Sequence, residues 1–270
     1  MQCIITALRE ESKPIIQHFG LVNDSSFNFP CYHNNKKNLY LVGVGVGKKN
    51  IQSRIKNFHH SINKNFVQYI NVGIAGGKQG ITNIGQGYLI NKIVDEKSGK
   101  AFYPDILIKH NWMENSITTV ESPIINGGLK YQKLVDMESS EIFKTCSTLG
   151  PIQNIAFLKI ISDYMEINEK NSNLNIFDLI DFLVTDIELF LEKFYLLKKL
   201  FNQILLKEDI SWIKSIKNNL LLTHTQTNQL KKCAKVFRLN NQSKKLPEFN
   251  LEKPKSKFNR NIRLQTIFEI

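Results

Sequence analysis

The sequence predicts an α/β domain over roughly its first three quarters, followed by a basic, partly helical extension. Three observations carry that expectation. Short β-branched runs alternate with amphipathic stretches as far as about Leu206. Glycine-rich segments lie within or directly after two of these runs, and an acidic residue stands just past three of the elements, at the carboxyl ends of strands where α/β sheets put their ligands.

The strands expected, in order, are CIITA from Cys3, LYLVGVGV from Leu39, YINVGIA from Tyr69, GYLINKIV from Gly87, SITTV from Ser116 and IAFLKIIS from Ile155. Between them, Lys49 to Asn63 and Ser139 to Leu149 carry apolar residues at helical spacing, with Ile51, Ile55, Phe58 and Ile62 on one side. After Ser162 a polar segment from Glu166 to Asn175 shows no periodicity. A long amphipathic helix then starts near Asn175 and closes the domain around Leu206, so that residues 1–206 form one domain and 207–270 an extension. Within the extension, Ile210 to Leu222 and Gln226 to Leu239 read as two short helices. Asn240 to Arg263, with Pro247 and Pro254, has too little apolar surface to fold alone.

Composition narrows the class. A hydrophobic content of 42% is that of a globular protein. No uncharged apolar run reaches the length of about 18 residues needed to cross a bilayer, and the N-terminus lacks the marks of a signal peptide. No membrane association and a cytoplasmic location are therefore expected. Cys3, Cys31, Cys146 and Cys233 lie far apart, and the six histidines are scattered or surface-facing, which predicts neither a disulfide framework nor a metal site. The aromatics Phe177, Phe182, Phe190, Phe194, Tyr195 and Trp212 read as core or interface residues. The net charge of +12 is concentrated in Lys207 to Ile270, which hold 14 Lys and Arg against 5 Asp and Glu. Such a tract either meets an acidic partner, nucleic acid or an anionic surface, or is simply solvated.

The acids at strand ends are Glu11 in ITALREESKPI, Glu138 in LVDMESSEIF and Asp163 in KIISDY. Each alone also fits a helix N-terminus, where the dipole favours carboxylates. Gly43, Gly45 and Gly47, then Gly73, Gly76 and Gly77, let a ligand approach the main chain. The first cluster is spaced GxGxG rather than GxGxxG and no strand-ending acid follows about 20 residues on, so it is not a dinucleotide fingerprint.

Taken in order, IITALREE, VGVGVGKKN, NVGIAGG, IGQGYLINKIVD, TVESPI, LVDMESSEIF and KIISDY resemble the nucleoside phosphorylase and nucleosidase superfamily, nearest the methylthioadenosine/S-adenosylhomocysteine nucleosidases. The resemblance covers about Met1 to Leu206, and VDMES and ISD are its most specific parts. It implies a three-layer α/β/α sandwich around a mixed, partly barrel-like sheet, no cofactor, a purine nucleoside as substrate, and a homodimer. By the same resemblance Glu138 accepts hydrogen bonds from the ribose hydroxyls and Met137 lies against the sugar. Asp163 is the general acid toward the purine, oriented by Ser162. Glu11 positions and deprotonates the attacking water, and the main chain at Ile74, Ala75 and Gly76 lines the site. One proton donor at the base and anions near the ribose suit a bond whose cleavage leaves positive charge on the sugar and negative charge on the base.

Hydrolysis is favoured over phosphorolysis, because the segment after the first strand reads ALREES, and an acid at Glu11 suits water and repels phosphate. The chain departs from the family between TVESPI and LVDMES, where it lacks the longer segment that carries an aromatic stacking on adenine; Pro123 and Ile124 occupy that region. The extension has no counterpart in the resemblance. Two alternatives stay open: a phosphate-dependent phosphorylase, and a non-catalytic nucleoside-binding module with a basic partner-binding tail.

Overall fold

A computed structural model describes residues 1–62, 66–166, 175–241, 244–249 and 253–268, with side chains omitted for 198–203. The elements of the first unit, Met1–Tyr195, are β1 (Gln2–Thr6), α1 (Arg9–Phe19), β2 (Val22–Asn23), β3 (Cys31–Asn34), β4 (Leu39–Gly43), α2 (Ile51–Ile62), β5 (Gln68–Gly76), β6 (Gly87–Asp95), β7 (Ala101–Phe102), β8 (Met113–Thr119), β9 (Leu134–Asp136), α3 (Ser139–Leu149), β10 (Ile155–Asp163), α4 (Ile176–Phe182) and the first part of α5 (Val184–Gln203).

The strands make one mixed sheet centred on β5. That strand pairs in parallel with β1 and with β10, and β1 pairs in parallel with β4, beyond which β3 and β2 continue antiparallel. On the other side β10 runs antiparallel to β6, β6 parallel to β8 and β8 parallel to β9, which returns to β5 at Gly76 and Val135. Five strands thus close a ring, four more extend from β5 through β1, and β7 pairs antiparallel with β6. Full burial of β1 and near-full burial of β5 and β10 explain why these read as continuous apolar runs rather than as alternating ones. Alternate residues serve opposite layers: Cys3, Ile5, Tyr69, Phe157 and Ile161 join Ile51, Ile55 and Phe58 of α2 and Ile142, Phe143 and Cys146 of α3 in one core, while α1 and α4 pack together and against β1 and β10.

Local detail departs from the sequence reading in several places, among them the short strands β2, β3, β7 and β9, which were not expected. Helix α1 was not expected, because Pro14 interrupts it and its buried face, Glu11, Ser12, Ile15 and Phe19, begins with polar residues. The long helix after Asn175 is two helices, parted at Leu183 where the β-branched pair Val184 and Thr185 follows. β10 carries an irregularity: Ile161 is opposite Ala75 but Asp163 is opposite Gly76, so Ser162 is an extra residue in the ladder. The polar stretch read from Glu166 to Asn175 lies, except for its two end residues, outside the described residues, as does Asn63.

The second unit, Leu196–Ile270, contains the end of α5, α6 (Lys207–Leu220), α7 (His224–Asn240) and α8 (Lys257–Phe268). Thr223 caps α7, accepting from the Gln226 amide. Ile213, Ile216, Leu220, Leu222, Leu230, Ala234, Leu246, Leu264 and Ile267 form its core. Asp209 binds Arg238 through two hydrogen bonds of 3.0 and 2.6 Å and also accepts from the Leu206 amide, and the Trp212 indole donates to the Pro247 carbonyl at 2.8 Å. Among the described residues beyond Asn240, Leu246, Leu264 and Ile267 complete the core that α6 and α7 begin, so this part folds against those helices rather than alone. Among the described residues no helix is long and apolar enough to cross a membrane.

Candidate active site

A cavity of about 230 Å³ opens where β1, β5, β9 and β10 end. Every site residue expected from the sequence lines it: Glu11, Ile74, Ala75, Gly76, Met137, Glu138, Ser162 and Asp163. Pro123 and Ile124 do so too. Asp136 also lines it; the rest of the wall is aliphatic and thioether, with Val46, Val120, Val135 and Met165, and among the described residues no lining side chain is aromatic.

Glu11 reaches the cavity from the first turn of α1 and is almost wholly buried. One carboxylate oxygen accepts from the Ala7 and Leu8 amides at 2.8 and 2.9 Å, and the other accepts from the Ile74 amide at 2.9 Å. Residue 73 must be glycine for this to fit, since a Cβ there would lie 2.8 Å from the Glu11 oxygen. Burial pushes the Glu11 carboxyl above its ordinary range, against the pull of Lys159 and the three amides.

Glu138 follows β9 and accepts from the Gly47 amide at 2.6 Å. Gly47 holds φ at +73°, a left-handed conformation that favours glycine, so the glycine cluster serves here to aim one N–H at a carboxylate. Burial, with Asp136 next to it, pushes the Glu138 carboxyl up to about 7. Asp163 stands at the end of β10, where its side chain accepts from Ser162 Oγ at 2.6 Å and from the Met165 amide at 2.7 Å. The extra residue in β10 explains why the consecutive residues Ser162 and Asp163 both reach the cavity, whereas side chains in a regular strand alternate between faces.

Sequence reasoning missed the charges behind this site. Lys159, in the middle of β10 and almost wholly buried, pairs with Asp136 at 2.9 Å. Burial works to lower its pKa, but Asp136, Glu138 and Glu11 together hold it above the ordinary lysine value. Asp136 is held in turn by Thr119 Oγ1 and by the amide and hydroxyl of Ser139. Asp95 binds Lys48, Lys144, Ser98 and Ser140 and so ties the glycine segment to the start of α3. A lysine inside the apolar run IAFLKIIS was the available signal, because a charge in a central strand demands a buried partner. Lys159→Ala would leave Asp136 buried beside two further carboxylates without its cation. An expected loss of about 3–5 kcal/mol of stability follows, measurable by urea unfolding; a loss below about 1 kcal/mol, the scale of an exposed pair, would show the cluster to be less coupled than its geometry indicates.

No protein-family model and no curated protein matches the chain. Solved structures do. The MTAN of Chlamydia trachomatis bound to MTA superposes with a TM-score of 0.58 at 21% identity, over 72% of this chain and 98% of that one. The 5'-methylthioadenosine nucleosidase of Arabidopsis thaliana gives 0.59 at 17% identity, over 72% and 95%. A futalosine hydrolase of Helicobacter pylori gives 0.55 at 16%, over 69% and 96%. With its mixed, ring-closing sheet between helical layers, the chain shares the fold of these nucleosidase structures.

Proposed function

We propose that the protein hydrolyses the N-glycosidic bond of an adenosine-type purine nucleoside, of the methylthioadenosine, S-adenosylhomocysteine or 5'-deoxyadenosine class, and releases the free base. The observation that carries this reading is that carboxylates from three distant parts of the chain, Glu11, Glu138 and Asp163, line one cavity. In the proposed mechanism Asp163 gives its proton to the imidazole nitrogen of the purine as the bond to the sugar breaks, so the base leaves neutral. Ser162 orients that acid through its hydrogen bond. Glu138, ionised, accepts from the ribose hydroxyls and offsets the positive charge that grows on the sugar. Glu11 takes a proton from the attacking water, and burial, by raising its pKa, makes it a stronger base than an exposed carboxylate. Met137 packs on the sugar, and the aliphatic wall takes the place of an aromatic against the base.

Water rather than phosphate is favoured as nucleophile because none of the described residues lining the cavity is Lys, Arg or His, and a phosphate dianion there would face four acids, Glu11, Asp136, Glu138 and Asp163, with no cation among them. The matching experiment follows base release from a panel of purine nucleosides with and without phosphate. The expected result is release of adenine at the same rate in both; a strict phosphate requirement, with a sugar-1-phosphate as product, would move the assignment to a phosphorylase. The absence of release from any nucleoside in the panel, with binding retained, would favour the non-catalytic module instead.

A further inference from the structure

The two units divide the charge very unequally. Met1–Tyr195 hold 20 Lys and Arg against 19 Asp and Glu, whereas Leu196–Ile270 hold 16 against 5. A chain-wide preference for lysine would raise it in both units, so composition does not account for the excess in the second. Nor does folding use it up. Arg238 is spent on Asp209, but Lys207, Lys214, Lys217, Lys231 and Lys232 on α6 and α7, and Lys257 at the start of α8, are exposed. Four more lysines of the intervening segments are exposed as well, against only two exposed acids, Glu208 and Glu248, among the described residues.

We propose that the helical unit binds duplex DNA through its phosphate backbone, without reading sequence. Lysines are point charges on flexible stems, which suits phosphate contact more than base readout. Binders of single strands stack bases on aromatic platforms, and Phe258, at 72% exposure, is the one fully exposed aromatic among the described residues of this unit. A helix that lies on a membrane needs a continuous apolar face; Leu264 and Ile267 of α8 are turned into the unit's own core, and the exposed large apolar residues of these helices, Ile210 on α6, Val236 and Leu239 on α7 and Phe258 and Ile262 on α8, are too few on any one helix to make one. Between duplexes, the groove of B-form DNA admits a helix whereas the deep, narrow major groove of A-form RNA does not. The proposal is independent of the reaction assigned to the cavity.

The test uses the full chain and a short labelled DNA duplex, with fluorescence anisotropy read across a salt series. Four or more phosphate contacts, each contributing about −0.9 to the slope, predict a log–log slope of about −4 or steeper, and hence roughly 100-fold weaker binding at 200 mM than at 50 mM salt. Reversing Lys214, Lys217, Lys231 and Lys232 together to Glu is expected to weaken binding at least tenfold with an unchanged far-ultraviolet circular dichroism spectrum, and the same four changed to Gln provide a gentler variant should the reversal unfold the unit. A matched reversal of Lys13, Lys36, Lys100 and Lys133 in the first unit is expected to leave binding within about threefold. The proposal is overturned by no binding at low salt, by a shallow slope, by equal loss in the two reversal sets, or by tighter binding to single-stranded DNA, duplex RNA or anionic vesicles than to duplex DNA.

Discussion

Asp163→Asn is expected to lower kcat/KM for base release by about 10²–10⁴-fold, the range that one positioned acid contributes, while nucleoside binding changes little. Asparagine is nearly isosteric and can still accept from the Met165 amide through its carbonyl oxygen, so the end of β10 keeps its shape. What is lost is the proton, and with it the neutral leaving base. The measurement is a steady-state comparison of both proteins together with calorimetric titration of an unreactive nucleoside analogue. Full activity in the variant would remove Asp163 from the reaction.

Glu138→Gln is expected to do two opposite things. Activity should fall by about 10–100-fold in kcat/KM, because hydrogen bonds from the ribose hydroxyls to a charged acceptor are replaced by bonds to a neutral one. Stability of the protein without nucleoside should rise at alkaline pH. The Glu138 carboxyl titrates at about 7 in the folded chain against an ordinary glutamate value of 4.5, so the folded state holds that proton more tightly than the unfolded state. The stabilisation this gives is full below about 4.5 and is lost as the pH rises through about 7. Glutamine stays neutral throughout, and its carbonyl oxygen can still accept from Gly47. At pH 8 the variant should therefore exceed the parent by up to about 3 kcal/mol, since a tenfold difference in proton affinity between the two states corresponds to about 1.4 kcal/mol, while near pH 4.5 the two should coincide. Thermal unfolding at both pH values reads this directly. A variant less stable than the parent at pH 8 would show that Glu138 is well accommodated as an anion in the cavity.

The central strands were legible in the sequence because they are buried on both faces and rich in β-branched residues, so β1, β4, β5, β6, β8 and β10 announce themselves. β2, β7 and β9 have two or three residues each, too few for any period, and β9 lay hidden within LVDMES. Helix α1 was masked by the same residue that makes it interesting, since Glu11 occupies a position where a hydrophobic residue would ordinarily mark the inner face. The acids at strand ends could be named from residue type and position alone. Their long-range hydrogen bonds could not, because Glu11 and Glu138 also accept from the backbone amides of Ile74 and Gly47, 63 and 91 residues away. Asp136 was invisible for the same reason, and Lys159, conspicuous inside IAFLKIIS, could be given no partner from the sequence.

Glu11 joins the turn after β1 to the C-terminal end of β5 with one carboxylate. Under the proposed mechanism, scaffold and chemistry rest on the same three atoms. In a survey of all substitutions, position 11 would register as intolerant for abundance as well as for turnover, and its part in the reaction would be disguised as a folding requirement. Asp163, whose polar partners lie within its own β10 end and the residues just after it, would register for turnover alone.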